Sequence, residues 1–225
     1  IKHFDLNYIG LDMNVERGGN NQKKFILKPK GSNYSSFELR HASSGIQTTA
    51  PLIAMMNYYA QAFDFKLAQK RSIIDLLFEK NLTTQYRPEM ELTDMPKYVH
   101  IHIEEPELSL DPTSQIQMLN EIIRLAFYSK VDSREIGLVL ATHSPYIINS
   151  LNLLMKAHDC KTDIDGAHVG YDDLSVYQIL SGGVADLKVK NIHYVNTDRL
   201  SEDINNIYDK YQELKQLQNE ESLGK

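Results

Sequence analysis

The chain has no tryptophan and a single cysteine, Cys160. One cysteine cannot close an internal disulfide, so the core must hold the fold, as is usual in a reducing compartment. No apolar run approaches the ~20 residues of a membrane-crossing helix. The start is not the basic-then-apolar pattern of a secretory signal. Positive charge is also short: 24 Lys and Arg against 30 Asp and Glu give a formal net charge of −6. That balance excludes a protein coated in basic residues for nucleic acid. Internal repeats and low-complexity segments are absent. A cytoplasmic location without a membrane segment is expected. The first residue is Ile1 rather than Met, so the sequence reads as a fragment, a processed product or a chain missing its start.

What is present is ordinary for a globular protein: 42% hydrophobic and 24% charged residues over 225 positions. That length buries one good core, or one domain with a small appendage. Charge is uneven near the start. Arg17, Lys23, Lys24, Lys28, Lys30 and Arg40 stand against Glu38 alone between positions 17 and 40. Such a stretch reads either as a solvated β-ribbon whose lysines discourage edge pairing or as a surface for phosphate or nucleic acid. The 13 tyrosines read mostly as core and interface residues.

The first forty residues carry β signals. Positions 4–13 alternate partly, Gly18-Gly19-Asn20-Asn21 predicts a turn before the strand at Lys24, and Tyr34 to Arg40 predicts a further short strand. Ser43-Ser44-Gly45 then precedes a helical pattern through Ile46, Leu52, Ile53, Met56, Tyr59, Ala60 and Phe63. Pro51 predicts that this helix starts late or kinks. A polar helical stretch follows from Lys66 to about Lys97, with Pro88 and Pro96 as breakers.

The middle is the most regular part. Tyr98 to Ile103 reads as a strand ending in Glu104-Glu105-Pro106. Asp111-Pro112 opens a helix by cap and first-turn proline, with Ile116, Leu119, Ile123 and Ala126 as its buried stripe. Ile136 to Thr142 is a continuous apolar run, expected to be buried on both faces of a parallel sheet. It ends at His143-Ser144-Pro145, a second cap-and-proline start. Strand, helix, strand, helix implies βαβ units. Farther on, 176–180 and 184–189, split by Ser181-Gly182-Gly183, predict a hairpin. Ser201 is expected to cap a terminal amphipathic helix with Ile204, Ile207, Tyr208, Tyr211, Leu214 and Leu217 on one side.

Open α/β sheets bind ligands beyond the carboxyl ends of their strands. Two adjacent carboxylates there are costly to bury unless they hold a cation or a reacting water. Mg²⁺ takes oxygen ligands and keeps several waters, so one carboxylate and substrate phosphates suffice. A second carboxylate can then deprotonate water. A rival reading takes His100, His102 and Glu104, alternating onto one face, as a transition-metal site of a metal-dependent hydrolase. The plainer expectation is that both histidines are partly buried and hydrogen-bonded beside a covering helix.

These residues resemble a known superfamily. The run from Tyr98 through Glu104-Glu105-Pro106-Glu107 is similar to a Walker B strand with its catalytic glutamate. Leu108-Ser-Leu-Asp-Pro resembles a D-loop, Ala141-Thr-His-Ser-Pro a switch-histidine strand, and Ser43-Ser44-Gly45-Ile46-Gln47 a variant signature loop of ABC-type ATPases. The order is the family's, and positions 43–152 cover half the chain. The nearest subgroup is the AAA-like, ABC-type ATPases of OLD and bacterial defence or toxin systems.

The resemblance implies an α/β fold: a P-loop NTPase-like (ABC-type) sheet with flanking helices and an N-terminal antiparallel β segment. It implies one partial ATPase domain over 1–225. Its parts would be a β-rich segment at 1–42, the signature loop and a helical segment at 43–97, a Walker B to switch-histidine core at 98–160, and a hairpin with terminal helix at 161–225. Glu104 would hold Mg²⁺ through water and Glu105 would be the catalytic base. His143 would sense the γ-phosphate of ATP, and Asp111 would act across a dimer interface. Ser43, Ser44, Gly45 and Gln47 would meet the nucleotide held by a partner in a head-to-tail homodimer. An effector protein is a further implied partner; nucleic acid is left open.

Two features depart from the family. Ile46 stands where transporter-type signatures often have Gly. No Gly-x-x-x-x-Gly-Lys-Ser/Thr occurs, and Gly18 to Lys24 has its ingredients at the wrong spacing. The phosphate loop is therefore expected before Ile1. The alternative function is a non-hydrolysing regulatory or interaction module that keeps the fold.

Overall fold

The computed structural model describes residues 3–18, 22–31, 33–82 and 96–223; in the last helix it describes side chains at 198, 202 and 205–218. The fold is mixed α/β, with antiparallel strands, one parallel pair and several helices. Two compact units are present: one of Ile1–Thr142 with Asp165–Ala167, the other of His143–Ile164 with His168–Lys225. Among the described residues no helix is long and apolar enough to cross a membrane.

The first unit opens with a four-stranded antiparallel sheet of β1 (His3–Leu6), β2 (Leu11–Arg17), β3 (Lys23–Pro29) and β4 (Phe37–Glu38), in that order. Gly10, at φ 65°, lets the chain reverse between β1 and β2. The expected turn at Gly19, Asn20 and Asn21 lies outside the described residues, but its flanks are joined by Gly18 N–H donating to Gln22 O at 2.9 Å. The strand expected from Tyr34 to Arg40 forms only at β4, because Leu39–His41 winds into a 3₁₀ turn.

Helix α1 (Ser44–Asn57) begins ahead of Pro51 and continues through it, which rules out the late start that was one of the two outcomes expected there. Proline removes one backbone bond, but Ala50, Ile53 and Met56 around it are fully buried. Burying each larger side chain stabilises by roughly 1.5–3 kcal/mol, enough to outweigh the lost bond. A π-helical turn, Tyr58–Ala62, follows, and α2 (Phe65–Glu79) starts from an Asp64 cap that accepts Leu67 N–H. Pro88 lies outside the described residues.

β5 (Tyr98–Glu104) and β6 (Glu135–Ala141) pair in parallel, with α3 (Pro112–Ile123) between them in sequence. Asp111 caps α3 as expected, accepting Thr113 N–H at 3.0 Å and Ser114 N–H at 3.2 Å. Burial in α3 extends beyond the expected stripe to Met118, Asn120, Glu121 and Ile122, while Ile116 is half-buried. Arg124 clamps the buried Glu121 carboxylate with two bonds of 2.7 Å.

The apolar run of β6 is not buried on both faces. Only Ile136 is fully buried, and Val139 is 44% exposed. The reason lies in β5, whose Val99, Ile101 and Ile103 turn inward while Tyr98, His100, His102 and Glu104 face out. Register pairs His102 with Val139 and Glu104 with Ala141, so the uncovered face spans both strands. His100 and His102 are thus exposed, not sheltered by a helix, and their rings lie 4.5 Å apart.

In the second unit, α4 (Pro145–Asp159) starts from the Ser144 cap, whose hydroxyl accepts Tyr146 and Ile147 N–H at 3.2 and 3.3 Å. Asn152 of α4 exchanges two bonds with the backbone of Val195, fixing the short pair β9 (Lys188–Val189) and β10 (Tyr194–Val195) beside the helix. The predicted hairpin is β7 (Tyr177–Leu180) with β8 (Gly183–Asp186). Its second strand stops short of Val189, since Lys188 and Val189 pair with β10 instead. The terminal helix α5 (Asp198–Leu223) opens before Ser201, because Asn196 Oδ1 already accepts Asp198 N–H at 2.8 Å. Ile207, Tyr208, Tyr211, Leu214 and Leu217 of α5 are exposed, and the Ile204 side chain lies outside the described residues.

Candidate functional site

Glu104 is the last residue of β5 and sits opposite Ala141 at the carboxyl end of the parallel pair. At Glu105 the backbone turns with φ 45°. A non-glycine residue in that region costs on the order of 1 kcal/mol, and the turn is held by three hydrogen bonds. Glu105 N–H donates to Ala141 O at 2.8 Å, Leu108 N–H to Glu105 O at 3.0 Å, and Leu110 N–H to Glu107 O at 3.0 Å. Ser109 is a second left-handed residue in the same loop, at φ 62°. Glu104 and Glu105 are both exposed, while Pro106 beneath them is buried.

The loop is tied down on two further sides. The Thr142 hydroxyl donates to Glu107 Oε1 at 2.6 Å, linking the end of β6 to the residue two after Glu105. Gly45, in the first turn of α1, lies against the loop so closely that a Cβ there would be 2.6 Å from Ser109 O. The signature-like segment and the segment after Glu105 are therefore in direct contact within the first unit.

Ser43 is the N-cap of α1 but makes no side-chain cap bond, and the first turn of α1 carries no acidic residue. Ser43 and Ser44 are exposed and Gly45 is buried. A helix start left in this state presents N–H groups and positive dipole to an anion. Gln47 is turned the other way: its amide donates to Ala42 O at 2.8 Å and Arg40 O at 3.2 Å, bracing the entry to α1. Asp111 also accepts the Ser114 hydroxyl at 2.5 Å. That bond, followed by the Ser114 and Thr113 amides, holds its carboxyl below the usual value of 3.8.

His143 opens the second unit, exposed and directly ahead of the Ser144 cap. The structure thus brings together Glu104, Glu105 and Asp111 along one strand-loop-helix path, with Gly45 packed on it. Among the described residues no group of three or more His, Cys, Asp or Glu could hold a metal ion, so His100, His102 and Glu104 lack the ligand set of a transition-metal site. The oxygen donors of Glu104 and Glu105, exposed at a strand end, suit a hard cation that completes its shell with phosphate and water.

Sequence reasoning missed Glu107 and Thr142, although the third glutamate of Glu104-Glu105-Pro106-Glu107 was in view. Their pairing depends on how the loop folds back on β6, which has no local signal. Compared with protein-family models, curated proteins and solved structures, the chain gives no match.

Proposed function

We propose that this chain supplies the water-activating and metal-holding side of an ABC-type ATPase site in a P-loop NTPase-like fold. The observation that carries the reading is the Glu105 turn: a carboxylate held at φ 45° by Ala141 O, next to Glu104, at the carboxyl end of two parallel strands. Asp132 and Asp165 are left-handed as well; what sets Glu105 apart is its place beside Glu104 at the strand end, where open α/β sheets take their ligands. The contact of Gly45 with Ser109 supports it, because it joins the signature-like helix start to the same loop.

In this reading Glu104 holds Mg²⁺ through water and Glu105 takes the proton of the water that attacks the γ-phosphate of ATP. Bound Mg²⁺ supplies charge neutralisation at the phosphates. Ser43, Ser44 and Gly45 offer amides to the γ-phosphate of a nucleotide held by a second subunit, with Asp111 near that interface and His143 sensing the same phosphate. Gln47 keeps the α1 start in shape rather than touching nucleotide. Catalysis is mostly positioning and charge stabilisation. The phosphate cradle is not in this sequence and has to come from elsewhere. The uncovered face of β5 and β6 fits that requirement, since parallel sheets are covered on both faces. Closure of a head-to-tail dimer around ATP would gate an attached effector.

The test is Mg²⁺-dependent ATPase turnover of the complete gene product beside Glu105→Gln. Removing a positioned base lowers turnover by about 10²-fold or more; equal turnover in the two proteins would sink the role of Glu105. The missing Gly-x-x-x-x-Gly-Lys-Ser/Thr motif favours a second reading, a non-hydrolysing regulatory module. Nucleotide binding without turnover in the complete product would select it.

A further inference from the structure

The projecting end of the β2–β3 ribbon carries chemistry that the ATPase reading does not use. β1 pairs only with residues 11–14 of β2, and β4 only with Ile26 and Leu27 of β3. Positions 15–17 and 23–25 therefore stand as a two-stranded arm. At its end Arg17 and Lys23 are register partners. Like charges directly opposite each other are unfavourable, and neither makes an ion pair among the described residues. Of the other cations in this stretch, Lys24 and Arg40 reach Glu38 at 3.5 and 2.8 Å, and Lys30 pairs with Asp5 and Asp12.

Beside the arm lies an open cleft of ≈ 360 Å³, lined by Lys23, Lys24, Phe25, Glu38, Arg40 and Gln47 among others. Phe25 is 39% exposed there, an aromatic ring next to three cations. Cations that track a backbone, together with a ring on which bases stack, are the two parts of a single-strand binding groove. Glu38 offsets part of the charge, which suits the one negative charge per nucleotide of a phosphodiester better than a triphosphate.

We infer that this cleft binds a single-stranded nucleic acid, with Lys23 and Arg17 on the phosphates and a base stacked on Phe25. The competing account is that the lysines only guard the arm against edge pairing.

The experiment is fluorescence anisotropy of a labelled oligo(dT) strand of about 15 nucleotides, a length on the scale of single-strand site sizes. It is run without ATP or Mg²⁺ at several salt concentrations. Because no nucleotide is present, its outcome is independent of the ATPase reading. The native protein binds with salt-dependent affinity, and Lys23→Ala lowers the log–log salt slope by about 0.7, one single-strand phosphate contact. Phe25→Leu keeps an apolar body but loses the ring, and weakens binding about ten-fold with the slope unchanged. Lys215→Ala, an exposed lysine of α5, leaves both unchanged. Circular dichroism establishes that each variant is folded. The inference is overturned if the native protein does not bind the strand, or if Lys23→Ala and Phe25→Leu bind as it does. It is also overturned if Lys23→Ala alters only self-association in light scattering.

Discussion

Replacing Gly45 by alanine tests the contact on which the candidate site depends. A Cβ at this position would lie 2.6 Å from Ser109 O and 2.8 Å from Leu110 Cδ2, where ordinary contact begins near 3.4 Å. The Ser109 carbonyl must therefore retreat by about 0.8 Å, the difference between those two distances. Leu110 Cδ2 can swing away, but the carbonyl belongs to a loop fixed at Glu105, Glu107 and Thr142. Overpacking of this kind costs about 1–3 kcal/mol. Alanine returns at most ~1 kcal/mol of helix propensity, and less in a first turn. The net expectation is a loss of roughly 1–2 kcal/mol, read by urea unfolding. Amide exchange should also quicken at Leu110, whose N–H is bonded to Glu107 O. On the proposed ATPase reading, turnover should fall as well, because the Leu108 amide joins the moved loop to Glu105 O. A variant as stable as the native chain, with the Leu110 amide equally protected, would refute the claim that Gly45 is there to let the loop approach.

Other perturbations have definite signs. Arg124→Ala strands the Glu121 carboxylate, 8% exposed, without its partner. Breaking a buried pair from one side costs roughly 3–5 kcal/mol, whereas replacing both residues by methionine should restore most of the stability in the same urea titration. Ser144→Ala removes the acceptor of two first-turn amides of α4 and should cost ~1 kcal/mol, visible as earlier loss of helical signal in that unit. Burial, the largest cause, pushes the Tyr8 hydroxyl from 10.0 up to about 12, with Glu121 adding to the rise and Thr49 opposing it. The unfolded chain then loses this proton first, so the stability Tyr8 contributes is full below pH 10 and falls away between pH 10 and about 12. The change is on the order of 2–3 kcal/mol, and Tyr8→Phe should abolish that part of the alkaline slope.

The features legible in the sequence are those fixed within a few residues. Asp111-Pro112 and Ser144-Pro145 each combine an oxygen acceptor with a residue lacking an N–H, and both open helices where expected. The Glu104-Glu105 strand end was legible for the same reason: a short apolar alternation stops at two carboxylates. Ser201 misled because it matches a cap as well as Asn196 does, and only the backbone decides which is used first. Pro51 suggested a late helix start that does not occur, because the burial of Ala50, Ile53 and Met56 is set by tertiary packing that no local signal shows.

β6 departs from its expected burial for a different reason. A run of apolar residues from Ile136 is what a strand in the middle of a covered sheet requires, yet Val139 is exposed and the outward residues of β5 are Tyr98, His100, His102 and Glu104. Composition therefore suits a more covered environment than the one these strands have here. The same mismatch does not occur in β2, where Leu11 and Met13 are buried and Asp12 and Asn14 lie on the other face. Antiparallel sheets commonly keep one wet face, and parallel pairs do not. The outward side of the parallel pair, where Val139 lies beside His102, is therefore the part of this fold most in need of further polypeptide. It lies beside the strand ends at Glu104, where the proposed ATPase reading needs a phosphate-binding half. On the proposed reading, a layer supplied over this face would cover the exposed Val139 and bring the phosphate cradle, and its addition should protect β5 and β6 amides and enable turnover together.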